Sequence, residues 1–96
     1  MSPKNKKKLT FQRKKLDNLD KKLLNIIKTR TQIIKKITFL KKNRSEIVDK
    51  KRIAFILRKI KKASIKKKID PSITRKIWKS MIWSYIDFER RNFNKK

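Results

Sequence analysis

The sequence predicts an all-α protein: a three-helix subunit with a long first helix. Three observations carry this. Apolar residues recur at helical spacing in three successive segments, no segment shows the polar–apolar alternation of a strand, and the 96 residues contain no Gly and only two Pro. A chain of this length forms one domain at most, and a lone domain of this size has a small core.

The first helix is expected from about Thr10 to Asn43. Leu16, Leu19, Leu23, Ile26, Ile33, Ile37 and Leu40 follow at steps of three and four except for one step of seven, from Ile26 to Ile33, a nearly unbroken heptad seam that Ile27 and Ile34 widen. Such a helix spans roughly 50 Å at about 1.5 Å per residue. One short chain covers that length poorly, so the seam argues for a partner chain. Residues 1–8 (MSPKNKKK) read as a basic, disordered tail ahead of a helical domain over 9–96. Asn43, Arg44 and Ser45 read as a turn, with Ser45 placed to cap the next helix.

The second helix is expected from about Glu46 to Lys67, with Ile53, Ile56, Leu57, Ile60 and Ser64 on one side. Asp70-Pro71 is a helix start, Asp as cap and Pro at the first helical position. The third helix then runs to about Phe93, with Ile73, Ile77, Met81, Tyr85 and Phe88 as its apolar face.

The composition narrows the chemistry. There is no Cys and no His, which removes disulfides, thiol nucleophiles, Cys/His zinc sites and the Ser-His-Asp mechanism. Without Gly there is no P-loop and no dinucleotide fingerprint. The few acids show no metal-holding spacing, and no cofactor is expected. The net charge is +26, from 33 Lys and Arg against 7 Asp and Glu. That calls for an anionic partner, or reflects the Lys, Ile and Asn bias of an AT-rich genome on solvated faces. The first eight residues lack the apolar segment of a secretory signal, and apolar runs fall short of a membrane span, so a soluble, cytoplasmic protein is expected.

Several charged residues break the apolar pattern. Counting along the seam from Leu23 and Ile26, the next position is Arg30. A guanidinium among Leu and Ile must hold an anion, find a carboxylate partner or snorkel to the edge. Lys41 comes almost three turns later, about 16 Å along the axis. These two long side chains, leaning together, suit a small dicarboxylate, although a solvated Lys41 is the ordinary alternative. Arg13 lies about 25 Å before Arg30, too far to share a small ligand with it on one helix. Across an antiparallel twofold pairing, Arg13 of one chain reaches the Arg30 site of the other. Asp49 and Arg52 are a turn apart and fit an intrahelical ion pair. Tyr85 and Glu89 stand at i and i+4 on the third helix; Glu89 is either an inward carboxyl or the partner of one of the many lysines.

These positions carry a family pattern. LDNLDKKLLNIIKTRTQIIKKITFLK (Leu16–Lys41) resembles the first helix of the all-α, type II chorismate mutases. IVDKKRIAFIL (Ile47–Leu57) resembles their second-helix Asp-x-x-Arg motif, and IDPSITRKIWKSMIWSYIDFE (Ile69–Glu89) their third helix. The resemblance covers about 80 of the 96 residues in the right order. It implies an intertwined homodimer with two equivalent sites, acting on dianionic chorismate. By that resemblance Arg13 enters the partner's site and binds a carboxylate, Arg30 binds a carboxylate within its own chain, and Lys41 serves the ether oxygen and a carboxylate. Asp49 and Arg52 shape the pocket, Tyr85 lines it, and Glu89 stands where the family has Gln, facing the ether oxygen.

Two departures matter. Ile53 comes after Arg52 where the mutases have a Glu for the substrate hydroxyl, and in this it resembles the isochorismate-pyruvate lyases. Glu89 donates to an ether oxygen only when protonated, which burial favours and Lys41 opposes. Both reactions are pericyclic and need no nucleophile or metal, only orientation and charge stabilisation. The non-enzymatic alternative is a basic nucleic-acid binder using Trp78 and Trp83 for stacking. Its lysines are spread around every helix without a recognised motif, so nonspecific nucleic-acid binding is all that is expected.

Overall fold

The computed structural model describes residues 1–93. They form three α-helices: α1 (Pro3–Leu40), α2 (Lys50–Lys66) and α3 (Pro71–Phe93), with a 3-10 turn at Arg44–Glu46 after α1. No strand occurs among the described residues. No described helix is long and apolar enough to cross a membrane. The chain divides into two compact units, residues 1–33 and 34–96.

The first unit is the greater part of α1. Its helix starts at Pro3, well before the expected Thr10, so residues 3–8 are helical where the run of lysines suggests a disordered tail. The local chemistry explains the difference. Ser2 Oγ accepts the Asn5 backbone N–H at 3.2 Å, and the Ser2 carbonyl accepts that of Lys6 at 2.9 Å. Ser is therefore the cap and Pro takes the first helical position, where its missing N–H costs nothing. Lys is itself a good helix former. Thr10, Thr29 and Thr31 sit within the helix by returning their hydroxyls to the carbonyls of Lys6, Asn25 and Ile27. The seam lies open: Leu16, Leu19, Leu23, Ile26 and Ile33 are each more than 50% exposed.

The second unit contains the end of α1, the 3-10 turn, α2 and α3. Its small core is partly polar: Ile47 and Ile86 are buried together with Thr38, Ser64 and Glu89. Glu46 organises the turn, its Oε2 accepting the backbone N–H of Lys42 at 2.7 Å and of Asn43 at 3.3 Å. Asp49, and not Ser45, caps α2: its Oδ1 accepts the Arg52 backbone N–H at 3.0 Å. The expected start at Glu46 therefore moves to Lys50. The inner face of α2 is the one the sequence indicates, with Ile53, Ile56, Leu57 and Ile60 half-buried and Ser64 buried. Ser64 Oγ lies 2.8 Å from Thr74 Oγ1, a hydroxyl pair joining α2 to α3.

The α2–α3 link turns through Lys68, whose φ of 59° is left-handed. The N–H groups of Lys67, Lys68 and Ile69 close back on the carbonyls of Ala63, Ile65 and Ser64. This is the helix ending that usually employs Gly, a residue the chain lacks. Asp70 Oδ1 then accepts the Ser72 N–H at 2.9 Å. That backbone bond, aided by the Ser72 hydroxyl, holds the Asp70 carboxyl below its ordinary value. The expected apolar face of α3 needs correction: Ile73 and Ile77 are exposed, while Thr74, bonded to Ser64 of α2, and Trp78 are half-buried. Both pairs have i, i+4 spacing. The Ser64–Thr74 bond turns α3 so that the larger indole goes inward. Met81, Tyr85 and Phe88 keep their expected half-buried places.

Candidate active site

The late part of α3 meets the end of α1 at a buried carboxylate. Glu89 is 5% exposed and pairs with Lys41 Nζ, 3.0 Å from Oε1 and 3.3 Å from Oε2. Thr38, 3% exposed, places its Oγ1 2.9 Å from the same Oε1. The local backbone explains the arrangement. α1 stops at Leu40, and the Lys41 N–H closes the last turn onto the Thr38 carbonyl at 3.2 Å. Lys41 is thereby released from the helix directly beside Glu89. Arg44 holds the turn against the end of α3, with Nη1 3.4 Å from the Arg90 carbonyl and its guanidinium 5.8 Å from the Phe93 ring centre.

Both sequence readings of Glu89 therefore meet in one residue: it points inward, and its partner is the lysine singled out for chemistry. The Lys41 side chain is 20% exposed, so it is not one of the solvated lysines. Taking a charge pair out of water is unfavourable unless the geometry is good and further bonds are made; the Thr38 hydroxyl supplies one. An ammonium has three donors. Placed in a poorly hydrated site, it suits an oxygen that gains negative charge during a reaction.

The other candidates divide. Tyr85, one turn before Glu89, is half-buried and meets Phe88 edge-on with ring centres 6.4 Å apart. Ile53 is half-buried on α2. Asp49 and Arg52 are exposed and linked, but not by the expected ion pair: the carboxylate takes the Arg52 backbone N–H, and the guanidinium stands 5.3 Å from the Phe55 ring centre. Arg13 and Arg30 belong to residues 1–33. Arg13 is exposed. Arg30 is half-buried, and its Nε is shielded from solvent without a hydrogen-bond partner. A shielded guanidinium N–H left unpaired is unfavourable, and an anion would relieve it. Trp78 is half-buried and Trp83 is 50% exposed.

Thr38 is a site residue that the sequence does not signal. Its hydroxyl bonds the carbonyl four residues back, as those of Thr29 and Thr31 do. Nothing in the sequence marks it as the one beside a carboxylate. A cavity of about 250 Å³ lies elsewhere, between α2 and the start of α3, lined by Leu57, Ile60, Lys61, Pro71, Ser72, Thr74 and Arg75. It includes none of the candidate residues.

The chorismate mutase type II family model matches residues 12–90, from just before Arg13 to just beyond Glu89. Comparison with curated proteins and with solved structures gave no match.

Proposed function

Because the chain belongs to the chorismate mutase type II family, we propose that it catalyses the rearrangement of chorismate to prephenate as a homodimer. The observation that carries this reading is the enclosed Lys41–Glu89 pair, with Thr38 on the same carboxyl oxygen. In the rearrangement the ether C–O bond breaks as a new C–C bond forms within the same molecule. No atom is gained or lost, and no nucleophile is consumed. The protein's task is to fold the substrate and to favour charge on the departing ether oxygen.

Lys41 donates to that oxygen and to a neighbouring carboxylate. Glu89, when protonated, donates to the same oxygen from α3. Arg30 binds a substrate carboxylate, which would give its shielded Nε the acceptor it lacks. Arg13 of the second copy binds the other carboxylate. Asp49 and Arg52 act from the start of α2, where the cap fixes the Arg52 backbone, and Tyr85 lines the pocket beside Glu89.

The second copy is the natural occupant of the open seam on α1. Leu16, Leu19, Leu23, Ile26 and Ile33 repeat with heptad spacing, which is what a matching helix interlocks with. Each such side chain, already about half covered, gains about 1 kcal/mol when its remaining surface is buried. The cytoplasm is the compartment proposed for this work.

A second reading is favoured by Ile53. A half-buried isoleucine there offers no acceptor for a substrate hydroxyl, which suits isochorismate-pyruvate lyase activity. Incubating the purified protein with chorismate and, separately, with isochorismate decides between the two. The mutase reading expects prephenate from chorismate; salicylate and pyruvate from isochorismate, with no prephenate, would replace it by the lyase.

A further inference from the structure

The two oxygens of the Glu89 carboxyl are not equivalent. Oε1 faces two donors, Thr38 Oγ1 at 2.9 Å and Lys41 Nζ at 3.0 Å, whereas Oε2 has a single longer contact, to Lys41 at 3.3 Å. We infer that Thr38 is a positioning residue that decides which oxygen of the Glu89 carboxyl carries the proton. The inference deepens the mutase reading, in which a protonated Glu89 donates to the ether oxygen, and rests on it for its catalytic meaning.

A threonine hydroxyl has one proton to give. Two acceptors lie within its reach, the Ile34 carbonyl at 2.8 Å and Glu89 Oε1 at 2.9 Å. The carbonyl lies inside α1, where the backbone ladder already supplies it with an N–H. The carboxylate is the stronger acceptor, so the proton goes to Glu89 when that group is ionised. When Glu89 is neutral, a proton on Oε1 finds an acceptor in Thr38 Oγ1 only if the hydroxyl turns its own proton to the Ile34 carbonyl, and it then faces the Lys41 ammonium at 3.0 Å. A proton on Oε2 leaves Oε1 as a carbonyl oxygen accepting from both Thr38 and Lys41. The acidic O–H is then on the oxygen that has the fewer and longer contacts with the protein.

The charged surroundings of Glu89 are few. Lys41 faces it from the end of α1. Arg44 reaches from the 3-10 turn to the adjacent Arg90 carbonyl. On its own helix, Asp87 is paired outward with Arg91 at 3.2 Å, and Arg90 is exposed. No hydrogen bond or ion pair joins Glu89 to α2 among the described residues. Thr38 is therefore the uncharged contact whose removal isolates the effect.

The chain has only two glutamates, Glu46 and Glu89, so carbon-13 glutamate labelling of the whole protein gives two side-chain carboxyl signals. Their chemical shifts are followed against pH in wild type, Thr38→Val and Thr38→Ser, with Glu46 as internal control. The hydroxyl donates to the ionised carboxylate, so the Glu89 signal is expected to titrate at higher pH in Thr38→Val than in wild type. Glu46 stays in place, and Thr38→Ser restores the wild-type midpoint. In the prephenate assay, Thr38→Val lowers kcat about tenfold at the low-pH plateau with little change in KM, because binding is kept and proton placement is lost. Thr38→Ala repeats the comparison should the valine fail to pack. An unmoved Glu89 midpoint without the hydroxyl, or a serine variant that behaves like the valine, overturns the inference. The titration needs no substrate, so an expected shift in a protein that makes no prephenate would sink the mutase reading and leave the role of Thr38 standing.

Discussion

The two units of the chain treat apolar and polar side chains in opposite ways. In residues 1–33 the leucines and isoleucines of the seam stay in water, and the backbone ladder, a Ser2-Pro3 start and good helix formers hold the helix. In residues 34–93 a carboxylate and two hydroxyls are buried alongside Ile47 and Ile86. A helix with an open apolar stripe asks for a partner of matching shape. A buried carboxylate held by a hydroxyl and an ammonium suits a ligand of matching charge. The difference sets an open apolar stripe apart from a buried polar cluster along one small chain.

The hardest test of that division is to spoil the seam alone. If the chain pairs as proposed, wild type sediments as a dimer and Leu19→Asp with Leu23→Asp as a monomer in sedimentation velocity. The double change should also abolish prephenate formation, since the proposed site takes Arg13 from the second copy. A variant that stays dimeric and active would erase the contrast between the units. The complementary change spoils the pocket alone: Lys41→Ala is expected to leave sedimentation and circular dichroism intact while kcat falls by about 10² to 10³. Wild-type turnover in that variant would remove Lys41 from the chemistry.

A finer cut uses pH. The proposed donor is the protonated form of Glu89, so kcat should fall as pH rises through its midpoint, while Glu89→Gln, which donates at any pH, flattens the profile. A wild-type slope retained in the glutamine variant would assign the titration to another group. The smallest expected effect lies in neither seam nor pocket. Lys68 holds a left-handed φ of 59°, which costs a side chain with a Cβ about 1 kcal/mol or more. Lys68→Gly should therefore stabilise the protein by about 1 kcal/mol in urea unfolding without altering kcat. A loss of stability would mean that the glycine's freedom in the unfolded chain outweighs the relief.

How much of the molecule is legible in the sequence depends on how local each signal is. The seam, the inner stripe of α2 and the Asp70-Pro71 start are legible because spacing or a neighbouring pair of residues determines them. The start of α1 is easily placed too late because a run of lysines reads as a tail, although Ser2-Pro3 is a good cap. Ser45 competes with Asp49 because both are capping residues and only the path of the turn chooses between them. Ile73 and Ile77 read as inward because hydrophobicity alone outranks Thr74 and Trp78; the Ser64–Thr74 bond that reverses the order joins two helices. Within the pocket, Lys41 and Glu89 stand out separately, and that they pair directly is a fact of tertiary structure. Thr38 gives no signal, since its distinguishing contact lies 51 residues away.

The turn after α1 constrains the chain in another way. Glu46 grips two successive amides, those of Lys42 and Asn43, immediately after the residue that carries the ammonium. The Ser45 side chain is open to solvent, whereas Asn43, also exposed, is the N-cap that forms a capping box with Glu46. The count of residues between the amides and their carboxylate is not free: one insertion there would unlatch the loop and carry Lys41 away from Glu89. Drift in this stretch should therefore appear as exchange of residue types at constant length.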